Sequence, residues 1–344
     1  MTVEHDWHRQ RDELLGHRIS DLALQIRGTR VEALVERLYA ELEARGLKYR
    51  PGVYLSDQWG CPDGTPLIGV PFYLADQRLE RIEAEMSMSI ESDDEAMRYM
   101  RHEAGHAFNY AFRLHDRPEW QQTFGAFRKP YRDRYRADPF SREYVRHILA
   151  WYAQKHPDED FAETFAVWLT PQLDWRTEYD GWPALRKLEY VEHVMREIAS
   201  EQLEPVAPTE DDLPVEAMQY TLAEHYESEH DRIPVADERV FDVDLRQIFF
   251  DESAAPAAGH ADAFLRRHCR EVVSRTAYWT SEHPSVVRSL MDLLVKRAEA
   301  LRLRVGRVEA ATLIELTSFV TAVVMMHRYT HIIGRPRSRR APQS

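Results

Sequence analysis

RHEAGHAFNY, residues 101–110, is the stretch on which the fold of this chain turns. It places His102 and His106 four residues apart, with Glu103 beside the first. On a helix, side chains four apart project from the same face. Two imidazoles so placed can bind one Zn²⁺. Glu103 can then reach a water on that metal and take its proton. The residues just upstream predict the helix itself. Ser92-Asp-Asp-Glu95 has the S-x-x-E form of a capping box, so a helix should run from about Asp93 to Leu114. Ala96, Met100, Ala104, Ala107 and Ala111 give it a small apolar surface for close packing. The competing reading is a helix with two satisfied surface histidines. A third ligand elsewhere in the chain decides between them, because a catalytic zinc takes three protein ligands.

HPDEDFAETFAVWLTP, residues 156–171, offers that ligand. Pro157 suits the first position of a helix and Pro171 closes it. Glu159 and Glu163 are four apart on one helical face, while Phe161, Phe165 and Trp168 supply apolar packing. Glutamates on a helix usually face water, yet Glu163 sits inside F-A-E-T-F-A, which is a poor solvated face. A buried carboxylate needs a partner. A metal, or a histidine bound to one, would serve.

H-E-A-G-H followed by Y-A-x-x-H-P-D-E-D-F-A-E-T-F-A resembles the gluzincin-type zinc metallopeptidases. Within them it looks closest to the bacterial zinc-binding metallopeptidases whose second motif reads H-P-x-E-D-x-A-E-T. It is also similar to the catalytic domain of anthrax lethal factor. The resemblance spans about residues 70–200 and implies a zincin-like fold. It implies that Glu159 is the third zinc ligand and that Glu163 supports a histidine ligand from behind. It further implies that Tyr152, seven residues before Glu159, donates to the oxyanion of the tetrahedral intermediate. The chain departs from the thermolysin pattern in having Glu rather than Asp as the supporting acid.

Outward from these motifs, RVEALVERLYAELEAR (30–45) has helical apolar spacing, with Gly46 as its C-terminal cap. PGVYLSDQWGCPDGTPLIGVPFYLA (51–75) predicts two or three short strands joined by turns. Its end, VPFYLA (70–75), reads equally as a core strand or as an edge strand that pairs with an extended peptide substrate. A mostly helical stretch is expected from Pro118 to about Gln154, broken near Pro130 and Pro139. Within it RKPYRDRYRADP (128–139) reads as a solvated helix with snorkelling arginines. WPALRKLEYVEHVMREIAS (182–200) is a further amphipathic helix.

The 344 residues have room for about two domains. The expected architecture is α+β and mostly helical: a zincin-like catalytic domain with a small edge sheet (1–204), an acidic linker (205–238), an all-α bundle (239–333) and a disordered basic tail (334–344). A formal net charge of −13 argues against nucleic acid or an anionic membrane as the main partner. No apolar run looks long enough to span a bilayer, and the N-terminus lacks the apolar stretch of a signal peptide. Two distant cysteines, Cys61 and Cys269, exclude a disulfide framework and fit a reducing, cytoplasmic setting. The expected activity is zinc-dependent hydrolysis of peptide or protein substrates with Glu103 as general base. The helical bundle is expected to pack on the catalytic domain or to bind a protein partner. A noncatalytic zinc-stabilised interaction protein and a zinc amidase acting on a small molecule are the alternatives.

Overall fold

A computed structural model describes residues 2–86, 90–132, 135, 137–148, 151–203, 207–209, 212–228, 238–255, 259–280, 282 and 284–330. The chain divides into two compact units, one of Met1–Glu83 with Ile90–Glu224 and one of Ala84–Ser89 with His225–Ser344. The tail 334–344 lies outside the described residues, as does much of the expected linker.

The first unit runs α1 (Thr2–Leu15), α2 (Arg30–Ala44), β1 (Gly52–Ser56), β2 (Leu67–Pro71), most of α3 (Gln77–Met86), α4 (Asp93–Ala111), α5 (Pro118–Phe124), α6 (Pro157–Leu169), α7 (Trp175–Glu178), α8 (Ala184–Ile198) and the first residues of α9 (Leu222–Ser228), the ends of α3 and α9 falling in the second unit. It is mostly helical, with one small parallel ladder in which Gly52 pairs with Leu67 and Ser56 with Pro71. The expected α+β class is what is found. Two local expectations are not. The strand stops at Pro71, and Phe72–Ala75 is a 3-10 turn, so VPFYLA is only partly a strand. Between Phe124 and Tyr152 the described residues form no helix beyond α5. Gly125 in the positive-φ region (φ 109°) ends α5, and Pro130 and Pro139, which suit a helix interior poorly, lie in irregular backbone.

Two crossings fix α4, the helix that carries H-E-x-x-H. Its start is the capping box: Ser92 Oγ accepts from Glu95 N at 3.3 Å, and Ser92 N donates to Glu95 Oε2 at 2.9 Å. Against α2, the buried Arg101 makes a bidentate pair with Glu41 at 2.6 and 2.7 Å. Against α6, the backbones come so close that only glycine fits at position 105. A Cβ there would stand 2.7 Å from Ala162 Cα and 3.2 Å from Phe165 Cβ. Residues 212–222, read from sequence as connecting chain, hydrogen-bond back to the N-terminal segment. Ile19 N donates to Tyr220 O, Ser20 N to Met218 O and Leu222 N to His17 O.

The second unit comprises α10 (Asp242–Ile248), β3 (Phe250–Asp251), α11 (Ala261–Thr280), α12 (Pro284–Ala300), β4 (Leu303–Arg304) and α13 (Glu309–Thr330), with β3 and β4 antiparallel. Leu265, Val273, Leu290, Leu294, Leu316 and Val324 are among the residues of its own buried core. The three long helices fall where the sequence placed them. One expectation is corrected. The segment Glu309–Arg328 has a mean hydropathy of 1.5 over 18 residues, so by length and composition it could cross a membrane. Only Glu309, Glu315 and Arg328 are charged in it, and the single interruption at Glu315 hides its overall apolar character from a search for unbroken runs. The same helix contributes Leu316, Val320 and Val324 to the core.

The contact at position 105 yields a stability test. Gly105→Ala gains about 1 kcal/mol of helix propensity. Prising two packed backbones apart costs more, about 1–3 kcal/mol for a typical overpacked core. The variant should therefore melt below wild type, as thermal unfolding would show. An unchanged melting temperature would mean that α4 and α6 have slack at this crossing.

Candidate metal centre

Helices α4 and α6 cross so that His102, His106 and Glu159 point at one another. His102 Nε2 lies 3.0 Å from Glu159 Oε2, His106 Nε2 lies 3.2 Å from the same oxygen, and the two Nε2 atoms are 3.1 Å apart. All three side chains are buried. Bonds of about 2.0–2.1 Å from a tetrahedral ion put its ligand atoms about 3.3 Å from one another. The observed triangle is close to that size, and these three residues form a group able to hold a metal ion.

The far sides of the rings explain why the Nε2 atoms face inward. His102 Nδ1 is 2.8 Å from Glu163 Oε1, and the other Glu163 oxygen accepts from Ile148 N at 2.8 Å. His106 Nδ1 is 3.1 Å from Asp158 Oδ2, an ion-pair contact well off the line of an ideal hydrogen bond. Asp158 is itself held by Asn109 Nδ2 and Tyr110 Oη, each donating at 2.6 Å. A carboxylate behind each ring favours the Nδ1–H tautomer and leaves Nε2 with a lone pair. Two such lone pairs and a carboxylate oxygen then converge on one point. That arrangement is repulsive unless a cation sits between them.

Electrostatics in the protein alone point the same way. Burial acts to lower the pKa of His102, but its hydrogen bonds to Glu159 and Glu163 outweigh burial and raise it to about 9. His106 is likewise raised well above its usual value, since Asp158 and Glu159 overcome the same burial. Glu159 is pushed far down, with burial opposing and the two histidines prevailing. The cluster demands positive charge, and zinc supplies it without protonating the ligands.

The sequence-predicted residues are thus brought together, and Glu163 sits behind His102. Glu103 is buried on the next face of α4, and among the described residues it has no hydrogen-bond partner. Burial raises its pKa, with His102 and His106 pulling the other way. Tyr152 reaches the same place. Trp151 adopts a left-handed conformation (φ 57°), costly for a bulky residue, and turns the chain so that the Tyr152 ring packs 5.6 Å from that of His102. Burial drives the Tyr152 pKa up, with Glu159 adding to it, so the phenol keeps its proton at neutral pH. Lys155 Nζ donates to its hydroxyl at 3.3 Å.

Sequence reasoning missed Asp158 and Tyr131. Asp158 had a signal: it lies one residue before Glu159, where helix geometry turns it toward His106. Tyr131 had none. It sits in the segment read as a solvated helix, yet its hydroxyl donates to Glu159 Oε1 at 2.5 Å and lies 3.5 Å from Tyr152 Oη. Irregular backbone lets it do so.

Residues 75–180 match the model of a family described as "putative zinc-binding metallo-peptidase". That span holds both motifs and every residue of the metal centre. No curated protein and no solved structure matches the chain. The match and the His-His-Glu cluster make zinc the cofactor and support a zinc metallopeptidase, a hydrolase of peptide or protein substrates, at that coarse level.

The two carboxylates behind the rings should prove comparable. Asp158→Ala and Glu163→Ala should each weaken zinc by about 10–100-fold, as loss of a group orienting a metal-bound histidine does. Glu159→Ala should lose tight binding altogether. Titration against a competing chelator measures all three. Wild-type affinity in Asp158→Ala would leave His106 supported by something else.

Proposed function

We propose that this chain is a zinc-dependent metallopeptidase in which Glu103 is the general base. One observation carries the reading. Glu103 is a buried carboxylate with no hydrogen-bond partner among the described residues, placed one residue from His102 beside three converging ligand atoms. A site that served only to hold the fold together would have no use for an acid beside its ligands that no hydrogen bond ties down.

His102, His106 and Glu159 would hold the ion. Bound there, zinc supplies a Lewis acid that polarises a carbonyl and lowers the pKa of water. Glu103 accepts the proton of the attacking water, helped by a pKa that burial has moved toward neutrality. It then passes that proton to the leaving amine. The Tyr152 hydroxyl, protonated and backed by Lys155 Nζ, donates to the carbonyl oxygen as negative charge develops there. Tyr131 is a positioning residue: its hydrogen bond fixes one Glu159 oxygen and so aims the other at the metal.

The test combines metal analysis with cleavage of a random peptide library. Glu103→Gln should keep its zinc and lose activity by ~10²–10⁴-fold, the scale for a general base. Full activity would remove Glu103 from the mechanism. Tyr152→Phe keeps the ring and deletes the hydroxyl. It should lower kcat by about 10²-fold and leave KM nearly unchanged, because the bond forms mainly in the transition state. Unchanged kcat with a lower melting temperature would make Tyr152 a packing residue.

A further inference from the structure

Where α4 faces α2, the first unit holds a cavity of about 480 Å³. Four arginines line it from three separate stretches of chain: Arg37 on α2, Arg98 and Arg101 on α4, and Arg146 in the irregular segment before α6. Two of them are already paired. Arg37 lies 3.4 Å from Glu41 Oε1 and 3.4 Å from Asp94 Oδ1, and Arg101 holds Glu41 through Nε and Nη2. The other two have no carboxylate within ion-pair distance among the described residues, and the Arg98 side chain makes no hydrogen bond there either. Arg146 Nη2 donates to Pro139 O at 2.8 Å, and its guanidinium stands 5.4 Å from the centre of the Trp182 ring. Both contacts orient that cation without neutralising it.

The floor of the cavity is built as well as charged. Arg101 is only 5% exposed and still lines it. With Nε and Nη2 spent on Glu41, Nη1 is the donor that Arg101 has left to offer. Gln172, held at a left-handed φ of 61°, adds an amide with no hydrogen bond among the described residues. Glu178 also lines the cavity and opposes an anion. Setting Glu41, Asp94 and Glu178 against the four arginines still leaves one net positive charge, in a chain whose formal net charge is −13. Val167, Pro171 and Leu173 are the aliphatic side chains of the lining, too few to hold an apolar ligand. Guanidinium groups arriving from several directions match the spread oxygens of a phosphate, whereas a planar carboxylate is satisfied by a single arginine fork. The volume lies within the range of small-molecule sites, about 300–1,000 Å³, which leaves room for more than a bare ion.

We propose that this cavity binds a small phosphate monoester, gripped by Arg98 and Arg146 with Arg101 Nη1 beneath it. The inference does not depend on the peptidase reading. The site is distinct from the metal centre but shares its supports. Arg101 directly precedes His102 on α4. Arg146 and His147, which also lines the cavity, lead into Ile148. The Ile148 amide donates to Glu163 Oε2 at 2.8 Å, and Glu163 stands behind His102. A phosphate bridging Arg98 and Arg146 therefore ties α4 to the segment whose amide holds the carboxylate behind His102.

Calorimetric titration of the full chain with glycerol 2-phosphate tests this, with zinc and acetohydroxamate present so that a metal-bound phosphate is not counted. Wild type should bind one equivalent. Arg98→Gln and Arg146→Gln should each weaken binding by about 10-fold or more, the scale of a lost charge-assisted hydrogen bond. Both side chains are exposed, so neither change should lower the melting temperature. Arg142→Gln is the control: this arginine also lies over Trp182, at 5.6 Å, but does not line the cavity, and its loss should leave binding unchanged. Inorganic phosphate should bind more weakly than the ester, and bound ester should slow hydrogen exchange at the Ile148 amide. No binding to wild type, or binding that acetohydroxamate abolishes, overturns the site. Equal weakening in Arg142→Gln reduces it to general surface charge. Inorganic phosphate binding as tightly as the ester overturns the ester assignment, and unchanged exchange at Ile148 overturns the grip by Arg146.

Discussion

The close crossing of α4 and α6 at Gly105 is the constraint on which the rest of the site depends. With Gly105 facing Ala162 across a gap too narrow for a side chain, His102 and His106 are drawn against the first turn of α6. The three ligand atoms then fall within 3.0–3.2 Å of each other. Helices packed through ordinary side chains stand about 8–10 Å apart. At the upper end of that range a histidine and a glutamate on facing helices would need longer reach or a bridging water. The glycine lets a helix packing form a group of side chains able to hold a metal.

Helix α6 shows how much charge such a site can bury. Asp158, Glu159, Asp160 and Glu163 are all buried within six residues. Left unpaired, these acids would be prohibitive in an interior of low polarity. Each has its own compensation. Asp158 has His106, Asn109 and Tyr110, and Glu163 has His102 and the Ile148 amide. Asp160 has Lys187 Nζ at 2.7 Å, though burial still raises its pKa to about 7. Glu159 has Tyr131 on one oxygen and the two histidines on the other. Three of the four lie in the first turn, where the helix dipole favours negative charge.

How much of this the sequence displayed depended on whether the deciding relation was local. The capping box, the one-turn histidine pair and the Glu159–Glu163 face are set by helix geometry, which the residue order carries by itself. The placement of Glu159 as third ligand came from resemblance, and the α4–α6 crossing gives it a geometric basis. Tyr131 was illegible because it reaches Glu159 through irregular backbone between Phe124 and Tyr131, and no periodicity describes such a path. Residues 51–75 were legible as short strands joined by turns, yet the pairing of Gly60 with Gly69 is selected by tertiary packing. VPFYLA misled for the opposite reason: its apolar pattern suits a strand, but Pro71 ends the ladder and the chain turns 3-10.

Helix α4 carries these assignments because successive residues point about 100° apart. Arg101 turns to α2 and meets Glu41. His102 and His106 turn to the metal position, and Gly105 to α6. Tyr99 turns to the Trp59 segment, and Glu103 follows it one turn later on the same face. Every residue from Arg101 to Tyr110 is buried, so no side of the helix is free to absorb a rotation. A twist that improved one contact would spoil the others. Glu103, the proposed base, therefore keeps its angle to the histidines by the packing of the whole helix, with no hydrogen bond of its own among the described residues.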